Sequence, residues 1–495
     1  LHGWFWIVLW WFPGFKYILS FSEEKMRNIV KFLSICFFLW TPIDGINSSC
    51  ESFSYRLYAE VLNDYVDGFG RVDYNRLKAE RQKLDAFVQL LADINPADFG
   101  KVMERMRRLR AQISQNDSAE RYASLGCDVF FGEGRFVDQK SFTVDGKRIN
   151  FRKAMIVTGT RPAHPEIDGL SEAGYLTNET VFSLTERPKR LAIIGGGPLG
   201  VEFAQAFCRL GSEVTIIQRN RQFLPREDQD AADLLGNVLE REGVHCKLET
   251  QVKCVTTTDE NKRLILTTPS GEETIEVDEI LVGVGRVPNV EDLDLEAAGV
   301  LYDQSRGIKV NKYLQTTNRN IYAAGDVCYP YMFTHMAEAT AQIVIQNALF
   351  LRSARHTSLV IPWCTYTDPE IAHVGICEKD AGKNGIPIDT FTQSLKDIDR
   401  AVLDGEEDGF VKIHVKKGRS KILGATIVAK NAGDMLSEIT LAMVMGQGVK
   451  PMCRGMIHPY PTQSDMVKRA ASQYYEKKLP PFLKAILDRW FSWKL

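Results

Sequence analysis

Six consecutive residues, Gly195-Gly196-Gly197-Pro198-Leu199-Gly200, have the types and spacing to hold a diphosphate. They follow the apolar run Leu191-Ala192-Ile193-Ile194 and open a helical pattern that ends at Gly211. A second β-like run, Val214-Thr215-Ile216-Ile217, comes next. Strand, glycine turn, helix and strand is the context in which Gly-x-Gly-x-x-Gly binds a dinucleotide. Gly195 permits the tight turn, Gly197 lets backbone approach a pyrophosphate, and Gly200 lets the helix pack close to the strand. The helix N-terminus offers unpaired N–H groups to the phosphates.

The residue after the second strand selects the cofactor. An acid there accepts hydrogen bonds from the ribose hydroxyls of NAD, whereas NADP sites replace it and add arginine. This chain has Gln218, then Arg219-Asn220-Arg221. Gln218 repels no phosphate, and Arg219 and Arg221 can pair with one in bidentate fashion. NADPH is therefore expected over NADH; the plainer alternative is that both arginines are solvated surface charges.

These residues sit in a chain of 495 residues, long enough for two to four domains with proper cores. A hydrophobic content of 44%, a charged content of 25% and a net charge of -2 describe an ordinary globular protein. Lys and Arg clusters are local, so nucleic acid is not an expected partner. The 10 cysteines are spread singly, with neither Cys-x-x-Cys nor Cys-x-x-x-x-Cys. That spacing argues against a disulfide scaffold or a zinc site, so no metal ligands are assigned, and reduced thiols suit the cytoplasm.

The elements around this site change character along the chain. Gly3 to Phe12 is an apolar decamer interrupted by Pro13 and Gly14, too short for the about 20 residues a bilayer span needs. From Met26, Arg27 and Lys31 precede an apolar stretch, Phe32 to Trp40, and small residues at Ser48-Ser49. That outline resembles a secretory signal peptide, so translation is expected to begin at Met26. Secretion or membrane association through this leader is the alternative to a cytoplasmic location. Asp98 is placed to cap a helix from Phe99 to Ser114, whose Arg105, Arg107, Arg108 and Arg110 read as solvated charges. Short strands come next over Asp128–Phe131, Gly134–Val137 and Phe142–Val144, and Asp145-Gly146 suits a tight hairpin.

From Phe99 to the C-terminus the chain resembles the pyridine-nucleotide-disulfide oxidoreductases, mercuric-reductase-like and dihydrolipoamide-dehydrogenase-like members above all. The resemblance rests on Met155-Ile156-Val157-Thr158-Gly159-Thr160-Arg161-Pro162, on Gly195 to Gly200 with Glu202, and on Gly283-Val284-Gly285-Arg286-Val287-Pro288-Asn289. It continues through Thr317 to Ile321-Tyr322-Ala323-Ala324-Gly325-Asp326, and through His458-Pro459-Tyr460-Pro461-Thr462-Gln463-Ser464-Asp465. It implies FAD as well as NADPH, with Thr158, Gly159, Gly285, Asp326 and backbone near Ala337 on the flavin side. It implies a homodimer, and roles at the reacting end for Glu202, Tyr460 and Asp465. Tyr460 stands where dihydrolipoamide dehydrogenases carry a histidine acid–base, and Asp465 where they carry glutamate. Residues 57–95 resemble the opening of a secreted bacterial family of unknown function.

Two family features are missing: a first Gly-x-Gly-x-x-Gly for the ADP half of FAD, and the Cys-x-x-x-x-Cys dithiol. The lysine that partners the Glu202 position would lie in the same absent stretch. The expected architecture is α/β. Residues 1–49 form an apolar leader and 50–97 a fragment. Residues 98–190 and 286–357 form a partial FAD-binding domain around a Rossmann-like NAD(P)-binding domain at 191–285. An α+β dimerisation domain spans 358–495. A sheet lacking its first strand should present an unpaired edge. Phe482, Leu483, Ile486, Leu487, Trp490 and Phe491 form a stripe at helical spacing, expected to pack subunits together. The expected activity is NADPH-to-flavin hydride transfer toward an unassigned acceptor without the disulfide step. The alternative is a non-catalytic NADPH-binding, dimerising module.

Overall fold

The computed structural model describes residues 5–12, 15–22, 98–258, 261–478, 486 and 489–493. The signal-like segment from Met26, the fragment 50–97, and Phe482, Leu483 and Leu487 of the C-terminal stripe lie outside the described residues. The chain divides into two units. One comprises Glu24–Asp117 with Thr185–Arg187; the other comprises Leu1–Glu23, Ser118–Leu184 and Pro188–Leu495. In the former, a helix spans Phe99–Ser114 and the Asp98 carboxylate accepts the Lys101 N–H at 3.3 Å. Its four arginines are exposed.

The larger unit holds three principal sheets. The first combines β1 (Phe5–Phe12), β2 (Phe15–Ser22), β3 (Asp128–Phe131), β4 (Gly134–Asp138), β5 (Ser141–Val144) and β6 (Lys147–Val157). Their order is β3-β2-β1-β6-β5-β4. Asp145 (φ 47) and Gly146 (φ 72) both adopt positive φ, as a two-residue hairpin that matches strand twist requires. Phe136, Phe142, Phe151 and Ile156 are buried in this region's core.

Within the stretch 1–49 expected as a leader, Phe5–Phe12 and Phe15–Ser22 form strands β1 and β2. β1 runs parallel to β6, pairing Val8 with Met155 and Trp10 with Val157. It then pairs antiparallel with β2, Phe12 opposite Phe15. The expected unpaired edge beside β6 is thus occupied, because a short apolar run satisfies its backbone groups in a sheet as well as in a leader.

β7 (Thr160–Pro162) leads out of this sheet toward a second one built from β8 (Arg190–Ile194), β9 (Glu213–Ile217), β10 (His245–Lys247) and β14 (Glu279–Val282). The order β10-β9-β8-β14 is parallel throughout, as in one half of a dinucleotide-binding sheet. Leu191, Ala192 and Ile193 are fully buried in succession, the pattern of a strand covered on both faces. Helices Pro198–Arg209 and Gln229–Arg241 come after β8 and β9. An antiparallel ribbon, β11 (Gln251–Thr257), β12 (Lys262–Thr268) and β13 (Gly271–Val277), packs Val255, Leu264 and Leu266 against Ile194, Ile217 and Val282.

The chain returns through β15 (Arg286–Pro288), antiparallel to β7, and the short pair β16 (Tyr302–Asp303) and β17 (Gly307–Ile308). β18 (Ile321–Ala323) then joins β6 in parallel, Ile321 opposite Ala154. The third sheet comprises β19 (Pro362–Thr365), β20 (Glu370–Gly375), β21 (Ile388–Ser394), β22 (Phe410–Lys416) and β23 (Ile422–Ala429), antiparallel in the order β19-β20-β23-β22-β21. Helices Ala432–Val444 and Asp465–Lys478 cover it.

Candidate functional site

Each glycine at the end of β8 has its own steric reason. Gly195 has φ +113, and a Cβ there would meet the Gly283 carbonyl at 2.5 Å. A Cβ on Gly200 would stand 1.9 Å from the Gly195 carbonyl oxygen, so the helix reaches the strand only without one. A Cβ on Gly197 would meet nothing within 4 Å: the space is open above the start of the helix. No side chain caps that helix, and Pro198 occupies its first position, where a missing N–H costs nothing. The remaining first-turn amides have no partner inside the helix and can receive an anion.

Gln218, just past β9, is buried, and its side-chain amide donates to the Gln222 carbonyl at 3.2 Å. It therefore braces its own loop. Arg219 and Arg221 beside it are exposed.

A second group gathers where β6 and β18 end. Thr158 donates to the Asn289 carbonyl at 2.7 Å, and the Asn289 amide donates back to the Thr158 carbonyl at 2.8 Å. Gly159 (φ +65) turns the chain, and its carbonyl accepts the Asn289 N–H. The Thr160 hydroxyl donates to the Asp326 carboxylate at 2.9 Å and accepts from Arg286 Nε at 2.6 Å. The Arg286 guanidinium lies 3.9 Å from Asp326. Gly285 (φ +131) faces open space. Gly325 (φ +71) lies against Ala337, since a Cβ at Gly325 would stand 3.2 Å from the Ala337 Cβ. The helix Thr334–Leu349 begins there with no side-chain cap. Thr158, Gly159, Asp326 and Ala337 are thus assembled at one end of the first sheet.

The three residues expected at the reacting end are not assembled in this way. Glu202 accepts the backbone N–H of Tyr366 at 2.8 Å, and burial pushes its carboxyl upward. Tyr460 is 76% exposed and donates to Asp399 at 2.8 Å, a bond that raises its own pKa. Asp465 accepts from Arg469 at 2.7 Å, so its bond is not with Tyr460. His458 pairs instead with Glu438 at 3.0 Å.

Sequence reasoning missed a buried charge cluster between the β9 region and the third sheet. Glu227 accepts the Trp363 indole N–H at 2.5 Å and lies 4.0 Å from His373. Asp228 accepts the Glu378 N–H at 2.9 Å and lies 3.5 Å from His414 and 3.8 Å from Lys412. Lys412 also pairs with Asp230 and Glu378. Burial pushes Glu227 up to about 7 and His373 down to about 4. These residues lie far apart in the chain and match no motif.

The eight described cysteines are all free. Burial holds the Cys246 thiol up at about 12 and the Cys377 thiol up at about 11, and raises Cys208, Cys328, Cys364 and Cys453 as well. Among the described residues no cluster of His, Cys, Asp and Glu could hold a metal ion, and no helix is long and apolar enough to cross a membrane.

Residues 83–341 match the family described as pyridine nucleotide-disulphide oxidoreductase, and residues 361–471 match its dimerisation domain. A mercuric reductase of Staphylococcus aureus is 34% identical over 385 residues, covering 78% of this chain and 70% of that protein. A dihydrolipoyl dehydrogenase of Mycoplasma pneumoniae is 33% identical over 351 residues, covering 70% of this chain and 75% of that protein. Among solved structures, the HOCl-induced flavoprotein disulfide reductase RclA from Escherichia coli superposes with a TM-score of 0.71 at 28% identity, covering 76% of this chain and 86% of that one. With its parallel sheet and glycine turn, its returning strand β18 and its antiparallel third sheet, the chain belongs to the pyridine nucleotide-disulphide oxidoreductases, a family that depends on FAD and uses NAD(P)H.

Proposed function

We propose that this chain is an NADPH-dependent flavoprotein oxidoreductase of its family that has lost the disulfide step. The observation that carries the reading is the β8 turn. A Cβ on Gly195 or Gly200 would stand 2.5 or 1.9 Å from a backbone carbonyl oxygen, while Gly197 leaves open the space a diphosphate would use. Arg219 and Arg221 supply charge for a 2′-phosphate, and Gln218 adds no carboxylate to oppose it. The domain limits that go with this reading are 191–285 for the nucleotide, 98–190 with 286–357 for the flavin and 358–495 for dimerisation.

The residues at the ends of β6 and β18 fit the riboflavin end of a flavin. Asp326 can accept from a ribityl hydroxyl while Thr160 and Arg286 hold its carboxylate in place. The uncapped start of Thr334–Leu349, near Ala337, suits the electron-rich pyrimidine edge of the ring. When bound, the flavin supplies the ring that accepts a hydride from reduced nicotinamide and passes electrons onward. Glu202, its carboxyl raised by burial, is assigned to hold a proton near that exchange. Tyr460 is assigned to hydrogen bonding through its hydroxyl, with Asp465 anchoring the adjoining helix through Arg469.

Loss of the disulfide step is argued from the absence of a Cys-x-x-x-x-Cys pair and from the protonated state of the buried thiols, which thiol exchange does not favour. The acceptor is then a small molecule reached directly by the reduced flavin. A homodimer agrees with the dimerisation domain and with exposed Leu441, Met445 and Ile457. Free thiols agree with a cytoplasmic location. The second reading, a non-catalytic NADPH-binding dimer, is favoured by the same missing dithiol. Purified protein that is yellow and bleaches with NADPH under anaerobic conditions supports the enzyme. Colourless protein that binds NADPH supports the module.

A further inference from the structure

The loop from Gln218 to Asp228, between β9 and the helix Gln229–Arg241, carries Arg219 and Arg221 and is fastened at both ends. In its middle the Leu224 N–H donates to the Gly196 carbonyl at 2.8 Å. Phe223 packs on the same glycine turn, where a Cβ at Gly196 would stand 2.5 Å from its ring. The Gln222 carbonyl accepts from Gln218 at 3.2 Å, and the Gln222 amide donates to the Glu227 carbonyl at 3.2 Å. At the far end Glu227 accepts the Trp363 indole N–H on β19, and Asp228 accepts the Glu378 N–H that opens the helix Glu378–Lys383. The loop thus runs unbroken from the glycine turn to the third sheet.

One fastening carries an unpaired atom. Glu227 is 3% exposed, and its Oε2 has no hydrogen-bond partner. Among the described residues its one ion-pair contact is His373 on β20, at 4.0 Å. His373 Nε2 meets the Gly375 carbonyl at 3.1 Å, which can only accept, so Nε2 carries the proton. Burial keeps the ring neutral, and Nδ1 accepts from Thr426 at 2.8 Å, leaving no proton for Glu227. The other charges nearby are committed elsewhere. Lys412 and His414 on β22 face Asp228, and Lys412 also pairs with Asp230 and Glu378. Lys379 donates to the Pro225 and Glu227 carbonyls, and Arg226 to the Pro330 carbonyl at 3.3 Å. Asp380 adds negative charge near His373, and burial raises the Cys364 thiol on β19. A neutral carboxyl suits this seam, whereas a carboxylate would be buried beside Asp228 without a cation in contact.

We propose that Glu227 is a positioning residue for the nucleotide site: as a neutral carboxyl it fastens the Gln218–Asp228 loop to the third sheet, and losing its proton slackens the loop and weakens NADPH. The inference rests on the nucleotide reading above and adds a proton dependence to it. Burial raises Glu227 to about 7, so the fastened loop holds the proton more tightly than a released one. NADPH affinity is therefore full below that pH and falls as pH rises through it.

Dissociation constants for NADPH with the full-length parent and Glu227→Gln, measured by calorimetry between about pH 6.5 and 8.5, test it. Glutamine keeps an acceptor for the Trp363 N–H and cannot ionise. The 2′-phosphate of NADPH titrates near about 6 for both proteins and cancels in their ratio. The expected result is a parent constant that rises at least about fivefold relative to the variant over this range. Parallel curves would overturn the inference and leave the nucleotide reading intact. Trp363→Phe, which removes a bond that favours the carboxylate, should move the fall in affinity to higher pH; an unmoved midpoint would also overturn it. No binding of NADPH by the parent at any pH would remove the nucleotide reading and the inference together.

Discussion

The first and second sheets each place a strand beside a parallel neighbour at the position where a dinucleotide fold begins, and they differ in how the chain leaves that strand. After β8 comes a glycine turn and the helix Pro198–Arg209; the next described element after β1 is its antiparallel partner β2. Both strands are paired with a neighbour on each side. The former leads into a helix whose first-turn amides are left over for a ligand. Filling a strand position and building a binding site are therefore separable, because pairing uses the strand and recognition uses the turn.

The comparison can be broken most severely at the turn itself. Gly200→Val places side-chain atoms where a Cβ alone would already be 1.9 Å from the Gly195 carbonyl. A loss of at least about 3 kcal/mol of stability is expected in thermal unfolding. Gly197→Ala, facing open space, should unfold like the parent yet bind NADPH at least about tenfold more weakly by calorimetry. On the other side, Val8→Pro removes a ladder N–H from a strand paired on both edges. It should cost about 3 kcal/mol and leave NADPH affinity unchanged in the folded fraction. Unchanged stability would mean that β1 contributes nothing to the sheet.

Charge gives a subtler contrast. Arg219→Ala with Arg221→Ala should weaken NADPH by about 100-fold and NADH by less than about threefold, the difference being lost pairing with the 2′-phosphate. Equal weakening of both would remove the phosphate assignment.

A pH-dependent effect lies in the buried cluster beside the second sheet. Glu227 titrates at about 7 in the fold against an ordinary 4.5, so the folded form binds the proton more tightly. Its contribution is complete below 4.5 and is lost as pH rises through 7. His373, lowered from 6.5 to about 4, contributes above 6.5 and loses that contribution as pH falls toward 4. The two slopes offset one another between 4.5 and 6.5. Glu227→Gln removes the first alone. Its stability relative to the parent should grow from pH 5 to pH 8 by about 1–3 kcal/mol in denaturant titrations, and a constant difference would contradict the assignment.

How much of this was legible in the sequence depends on the range over which each feature is specified. Gly195 and Gly200 were readable because their steric demands are local and glycine alone meets them; Gly197 was readable only from its place in the motif. The Asp145-Gly146 hairpin and the Asp98 cap were readable because their demands are local too. The role of Phe5–Phe12 was not. An unbroken apolar run has no period to separate a leader from a central strand, and its partner, β6, lies more than a hundred residues away. The Glu227, Asp228, His373, Lys412 and His414 cluster was hidden because its members meet only through tertiary packing. Tyr460 and Asp465, five residues apart in sequence, point to different partners.

Titration calorimetry of the folded, full-length chain with NADPH and NADH addresses the central claim most directly. A saturable heat with NADPH, at least about tenfold tighter than with NADH, is the expected result. No heat with either coenzyme, or tighter binding of NADH, would contradict it.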